Sequence, residues 1–148
     1  MTKKRFCPTW KNDTDQVDYH YMIKILLLVG LGGFIGSIAR YLTVSVMTKL
    51  FPSTFPYGTF AVNIIGCFVI GVFFGLSERF AWLTPPWRFF LMTGLCGGYT
   101  TFSSFAYENM ALLQTAEYRT FALYTLGSLS VSLLAVWVGI TLTKMAIS

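Results

Sequence analysis

Apolar residues run through this chain in four long stretches, roughly 23–47, 57–76, 87–113 and 119–143, each about the length that crosses a bilayer as a helix. Short polar connectors separate them: 48–56 holds Pro52 and Pro56, 77–86 holds Glu78, Arg79 and the pair Pro85 and Pro86, and a turn surrounds 115–118. Segment 1–21 differs, mixing Lys, Asp, Asn and Thr with few aliphatics. The pattern predicts an all-α integral membrane protein: a polar, basic leader or extension over 1–21, then one four-helix membrane domain over 22–148. Met22, followed by Ile23 and Lys24, reads as a start placed immediately before a helix.

Composition agrees with the pattern. The 148 residues are 55% hydrophobic and only 11% charged, against about 25% charged in soluble domains, and the mean hydropathy is +0.62. That balance excludes a soluble enzyme, a disordered tail, a collagen and a disulfide scaffold. The net charge of +5 is uneven, because Lys3, Lys4, Arg5 and Lys11 sit in the leader; a nucleic-acid binder would carry its cations along one folded face. Cys7, Cys67 and Cys96 are odd in number and widely spaced, which suggests buried thiols and not a metal or disulfide framework. Asn12, Asp13 and Thr14 form a glycosylation sequon, relevant only in a eukaryotic secretory setting. From Met22 onward, Lys24, Arg79, Arg88 and Lys144 fall on one side of the membrane and Arg40, Lys49 and Arg119 on the other. Lys and Arg bias sets orientation, so this near balance predicts insertion both ways, with the leader cations tilting it toward a cytoplasmic N-terminus.

Polar residues inside the spans are costly in lipid and therefore mark interfaces or pathways. In the first span Gly30, Gly32, Gly33, Gly36 and Ser37 make a small-residue face suited to helix packing, followed by Arg40, which snorkels to the interface, draws in an anion or pairs with a partner. Thr59 and Asn63 lie one turn apart in the second span. The Asn63 amide can hold a neighbouring helix or present N–H groups to an anion.

The third span carries the densest signal, Gly94-Leu95-Cys96-Gly97-Gly98-Tyr99-Thr100-Thr101-Phe102-Ser103-Ser104-Phe105. Three glycines followed by a β-branched pair disfavour a continuous helix, so a break near the midplane is expected there. Its unpaired backbone groups survive only when buried in protein, lining a cavity or binding an ion. Beyond the break Phe102 and Phe105 share one face, and Thr101, Ser104 and Glu108 form a polar stripe. Glu108 is the only carboxylate within any span. In the fourth span Tyr124, Ser128 and Ser132 make a second hydroxyl stripe. No enzyme constellation is present: His20 lies in the leader, no carboxylate pair lies in the membrane, and no Ser has a partner base.

The segment Gly33 to Tyr41, Gly58-Thr59 with Asn63, and above all the Gly94 to Phe105 string followed by Glu108, resemble the Fluc (CrcB-type) fluoride channels. The resemblance covers about residues 22–144. It implies an antiparallel, dual-topology homodimer in a prokaryotic plasma membrane (the inner membrane in a Gram-negative cell), exporting fluoride passively and so relieving its toxicity. Two pores would flank a structural Na⁺ at the centre of the dimer. On this likeness the Gly97 and Thr100 carbonyls would hold Na⁺, and Phe102 and Phe105 would be the phenylalanine-box residues. Asn63 would be the pore asparagine, with Thr59, Thr101, Ser103 and Ser104 as candidate pore hydroxyls, Glu108 the acidic residue beyond them and Arg40 the vestibule cation. The leader departs from the family pattern.

Two rival classes are testable. A small multidrug-type proton-coupled transporter is equally short and able to insert both ways, but its mechanism wants a carboxylate in the first span, where none exists. A structural subunit of a larger membrane complex would explain the glycines and serines, not the coincidence of a break, a Phe pair and an Asn.

Overall fold

The computed structural model describes residues 19–80 and 83–146. The leader cations, Cys7 and the Asn12 sequon lie outside them. Among the described residues all regular structure is helical.

Helix α1 spans Tyr19–Leu50, so it starts within the segment read as leader. Helix α2 spans Tyr57–Arg79 and stops where Phe80 turns extended. The third crossing is composite: α3 (Pro85–Arg88), with proline in its first turn, runs into a π-helical segment Phe89–Cys96 and a last α turn, α4 (Gly97–Tyr99). Thr100 and Thr101 are then extended, at φ −77°, ψ 159° and φ −150°, ψ 117°, before α5 (Phe102–Gln114) resumes. A tight turn with Ala116 at φ 57° leads into α6 (Tyr118–Ala146). Among the described residues three helices are thus continuous and apolar enough to span a bilayer, and two half-helices make a fourth crossing.

The break falls at the β-branched pair that closes the glycine-rich string, with the helix resuming at Phe102. Gly94, Gly97 and Gly98 stay helical, with no glycine at positive φ among the described residues. The interruption sits at the threonine pair, whose β-branched side chains favour extended backbone. The glycines serve contact instead. A Cβ on Gly98 would lie 2.6 Å from the Gly33 carbonyl oxygen, and one on Gly36 would collide with the Leu95 oxygen and lie 2.8 Å from the Tyr99 nitrogen. Helix α1 and the first half of the third crossing therefore meet backbone to backbone, as small residues permit in membranes. Helices α2 and α6 pack the same way around Gly71 and Gly139, while Gly75 makes room for the Thr143 side chain.

Few side chains are buried. Val62, Leu83, Cys96, Phe105, Leu112 and Tyr124 are the buried hydrophobics among the described residues. The most apolar windows of α1 and α6 have mean hydropathies of 2.1 and 1.8 yet are only 11% buried, so their outer faces are covered by lipid or by other protein. At one membrane end Arg88 donates from Nη2 to the Ser77 carbonyl at 2.6 Å and from Nε to Leu83 at 2.9 Å. The guanidinium thus satisfies a carbonyl at the α2 C-terminus, where a cation is favoured.

Candidate functional site

The break is clamped by Asn63. Its Oδ1 accepts from the Thr101 backbone N–H at 2.9 Å, and its Nδ2 donates to the Thr101 carbonyl at 3.2 Å. Both backbone groups of the extended residue are satisfied by one side chain, which is what an interrupted helix in hydrocarbon requires. The two alternatives for Asn63 are therefore not exclusive: the amide holds the helix, and an amide nitrogen carries a second N–H beyond the one spent on Thr101. Thr101 starts α5 as its N-cap, its Oγ1 accepting from the Ser104 N–H at 3.2 Å. The same oxygen donates to Ser104 Oγ at 3.1 Å and lies 3.2 Å from Ser103 Oγ. Thr101, Ser103 and Ser104 form one hydroxyl cluster at the break.

One turn further on, the two phenylalanines share a face as their spacing predicts, with ring centroids 5.7 Å apart. Phe105 is buried and packs on the Tyr124 ring at 5.1 Å, whereas Phe102 is 77% exposed in the single chain. Both line a cavity of about 150 Å³ together with Ser128, Leu129, Ser132 and Leu133 of α6. The Oγ of Ser128 is buried with no hydrogen-bond partner, the one such side-chain atom among the described residues. Thr43, Thr48, Thr115, Thr141 and Thr143 each return their hydroxyl to the carbonyl four residues back. Ser128 does not, so a buried O–H at the phenylalanine cavity remains unspent, at a cost that invites a ligand or water.

Glu108 lies three residues beyond Phe105 on α5. Its Oε1 accepts from Thr59 at 2.6 Å and its Oε2 from Tyr124 at 2.6 Å, both donors belonging to buried residues. It borders two further cavities of about 230 and 260 Å³ beside the first connector and the α5–α6 turn. The single hydroxyl proton of Thr59 points at this carboxylate and not at the phenylalanine cavity. The next rung of the same seam, Asn109, donates to the Phe105 carbonyl at 2.9 Å and accepts from Thr125 at 2.7 Å. Sequence reasoning passed over Asn109, although an amide directly after an intramembrane carboxylate was a readable signal.

On the α1 side Arg40 does not snorkel. Its Nη1 donates to the Thr100 carbonyl at 3.3 Å, while Thr43 Oγ1 lies 3.1 Å from the Tyr99 hydroxyl. The Gly97 and Thr100 carbonyls have lost their usual helical donors, because the Thr101 N–H goes to Asn63 and the Ser104 N–H to Thr101 Oγ1. Such neutral backbone oxygens suit a hard monovalent cation. Among the described residues no group of three or more His, Cys, Asp or Glu is placed to hold a metal.

A broken third crossing clamped by an asparagine, with two phenylalanines and free hydroxyl capacity beside it, is the arrangement to set against known proteins. The family described as "CrcB-like protein, Camphor Resistance (CrcB)" matches residues 27–140, the whole helical domain apart from its ends. The chain belongs to the CrcB family. It is 47% identical over 122 residues to a protein of Flavobacterium psychrophilum named fluoride-specific ion channel FluC, covering 82% of this chain and 98% of that one. Proteins of the same name from Azobacteroides pseudotrichonymphae and Campylobacter jejuni are 43% and 41% identical over 123 residues, 83% of this chain and 98% and 100% of theirs. Every residue from Asn63 to Thr125 that shapes the site lies within the CrcB match, as does Arg40.

Proposed function

We propose that this CrcB-family chain is a fluoride-selective passive channel of a prokaryotic plasma membrane, working as an antiparallel homodimer with two pores. The observation that carries this is the Ser128 hydroxyl, buried and unpartnered at a cavity walled by Phe102 and Phe105.

Fluoride is small and strongly hydrated, and an ion moved bare into hydrocarbon costs on the order of tens of kcal/mol. Close hydrogen-bond donors must replace its water. Ser128 and the second N–H of Asn63 are donors of that kind, and the Ser103 and Ser104 hydroxyls cluster on Thr101, the residue that Asn63 clamps. The edge of an aromatic ring is its positive rim, so Phe102 and Phe105 turned edge-on stabilise an anion without the full charge that would trap it; conduction needs sites weak enough to leave. Thr59 and Tyr124 are instead engaged with Glu108, whose two carboxylate oxygens each accept from one of these hydroxyls. Flow follows the electrochemical gradient, each charge gaining roughly 2.3 kcal/mol per 100 mV, so an inside-negative potential drives the anion out and relieves its toxicity.

The Gly97 and Thr100 carbonyls of two copies would together hold a structural Na⁺, which supplies positive potential near both pores. Within one chain neither oxygen receives its usual helical N–H, and Asn63 fixes the extended backbone beside them.

The test is ion efflux from liposomes containing the purified protein. Fluoride leaves and chloride stays; Ser128→Ala slows fluoride about tenfold, the order expected for losing one hydrogen bond to a charged group, with an unchanged melting temperature because the hydroxyl bonds nothing in the protein. Equal leakage of both anions overturns the selective-channel mechanism. Proton-dependent drug uptake would favour the multidrug class, and inertness in isolation the subunit class.

A further inference from the structure

We propose that the Arg40 guanidinium is a built-in competitor for the Thr100 carbonyl and thereby sets how tightly the broken helix takes up Na⁺. This rests on the Na⁺ reading of the Gly97 and Thr100 oxygens and assigns a role to a residue outside that ligand set.

The contact follows from the packing. Gly36 brings α1 against the backbone of Leu95 and Tyr99, and Arg40 stands one turn further along the same face. From there its Nη1 reaches the Thr100 carbonyl at 3.3 Å across sixty residues of sequence, in a half-buried position. Thr43, the next residue toward the α1 C-terminus on that side, meets the Tyr99 hydroxyl, so α1 grips the end of α4 by two polar contacts. The Thr100 oxygen is open to Arg40 because the Ser104 N–H that a continuous helix would send it is bonded to Thr101 Oγ1.

A carbonyl oxygen has two lone pairs, and Arg40 engages one of them with a group that never loses its charge. A cation on the same oxygen brings two positive charges close together in a partly buried site, where salt screens them poorly. Each occupant therefore weakens the other, and the coupling is reciprocal. Without Na⁺, Arg40 covers an oxygen that would otherwise be exposed in the break. With Na⁺, it lowers the affinity and keeps the ion exchangeable.

The experiment follows thermal unfolding of the purified full chain in detergent against Na⁺ concentration, with an organic cation holding ionic strength constant. In Arg40→Gln the Na⁺ concentration giving half of the stabilisation falls about tenfold, while the Na⁺-free protein melts lower than wild type. Arg40→Lys keeps the charge and stays within about threefold of wild type. Equal midpoints in wild type and Arg40→Gln, or a shift of the same size in Arg40→Lys, overturn the competition. If Arg40→Gln does not fold, the Lys variant alone decides, a tenfold fall there being the adverse result. A wild-type melt indifferent to Na⁺ instead removes the Na⁺ reading, and the role of Arg40 with it.

Discussion

The two halves of the third membrane crossing are held in opposite ways. The first half, from Phe89 to Tyr99, lies against α1 mainly through glycines and peptide atoms, with Gly32, Gly36 and Gly98 at close approaches and one hydroxyl contact, Thr43 to Tyr99, at its end. The second half, from Phe102 to Gln114, is fastened through side chains, by Glu108 to Thr59 and Tyr124 and by Asn109 to Thr125. Backbone contact gives a rigid wall that tolerates no added atoms. A side-chain seam positions donors and leaves some of them unspent, as Ser128 shows. The first half therefore supplies position and the second supplies chemistry, with Asn63 clamping the residue between them.

That contrast is open to attack in three places. The largest expected effect is Gly98→Leu: its Cβ falls 2.6 Å from the Gly33 oxygen and 2.9 Å from its Cα, neither able to move away as a side-chain tip would. Stability should drop by about 3 kcal/mol, the upper end for overpacking, read as loss of folded protein in detergent melts. A variant that melts normally but conducts poorly would erase the division between the halves. Next is Asn63→Ala, which removes both partners of the Thr101 backbone and the donor proposed for the pore. Fluoride flux should fall about a hundredfold while most of the protein still folds, because the glycine-built wall is untouched; full flux would mean the clamp is dispensable. The smallest is Lys144→Met, which breaks the 3.3 Å pair with Glu78 at two half-exposed side chains. Exposed pairs contribute about 1 kcal/mol or less, so both melt and flux should stay near wild type.

Particular residues show why some of this was legible beforehand and some was not. Four apolar stretches announce four crossings, because hydrocarbon thickness dictates their length. Glu108 stood out for the same reason, a carboxylate being expensive in lipid. The interruption was legible in the string that ends at the threonine pair, but that Gly94 and Gly98 themselves stay helical was not: glycine permits many conformations, and only the close approach of α1 requires them for contact. The π-helical stretch Phe89–Cys96 carries no local signature. Arg40 could equally have snorkelled, and its turn toward Thr100 depends on where Gly36 sets the neighbouring helix.

Residue order alone, then, determined that this is a membrane protein with an interrupted third helix and polar groups ranged along the fourth, since the cost of polar atoms in lipid acts on each segment separately. Which hydroxyls are already committed and which remain unspent is a property of pairs: Thr59 and Tyr124 were lost to Glu108, and Ser128 was left without a partner, only when three helices met. A hydrogen bond between residues forty-nine positions apart, as from Thr59 to Glu108, has no local cause, so it could be decided only by the packing that brings the helices together.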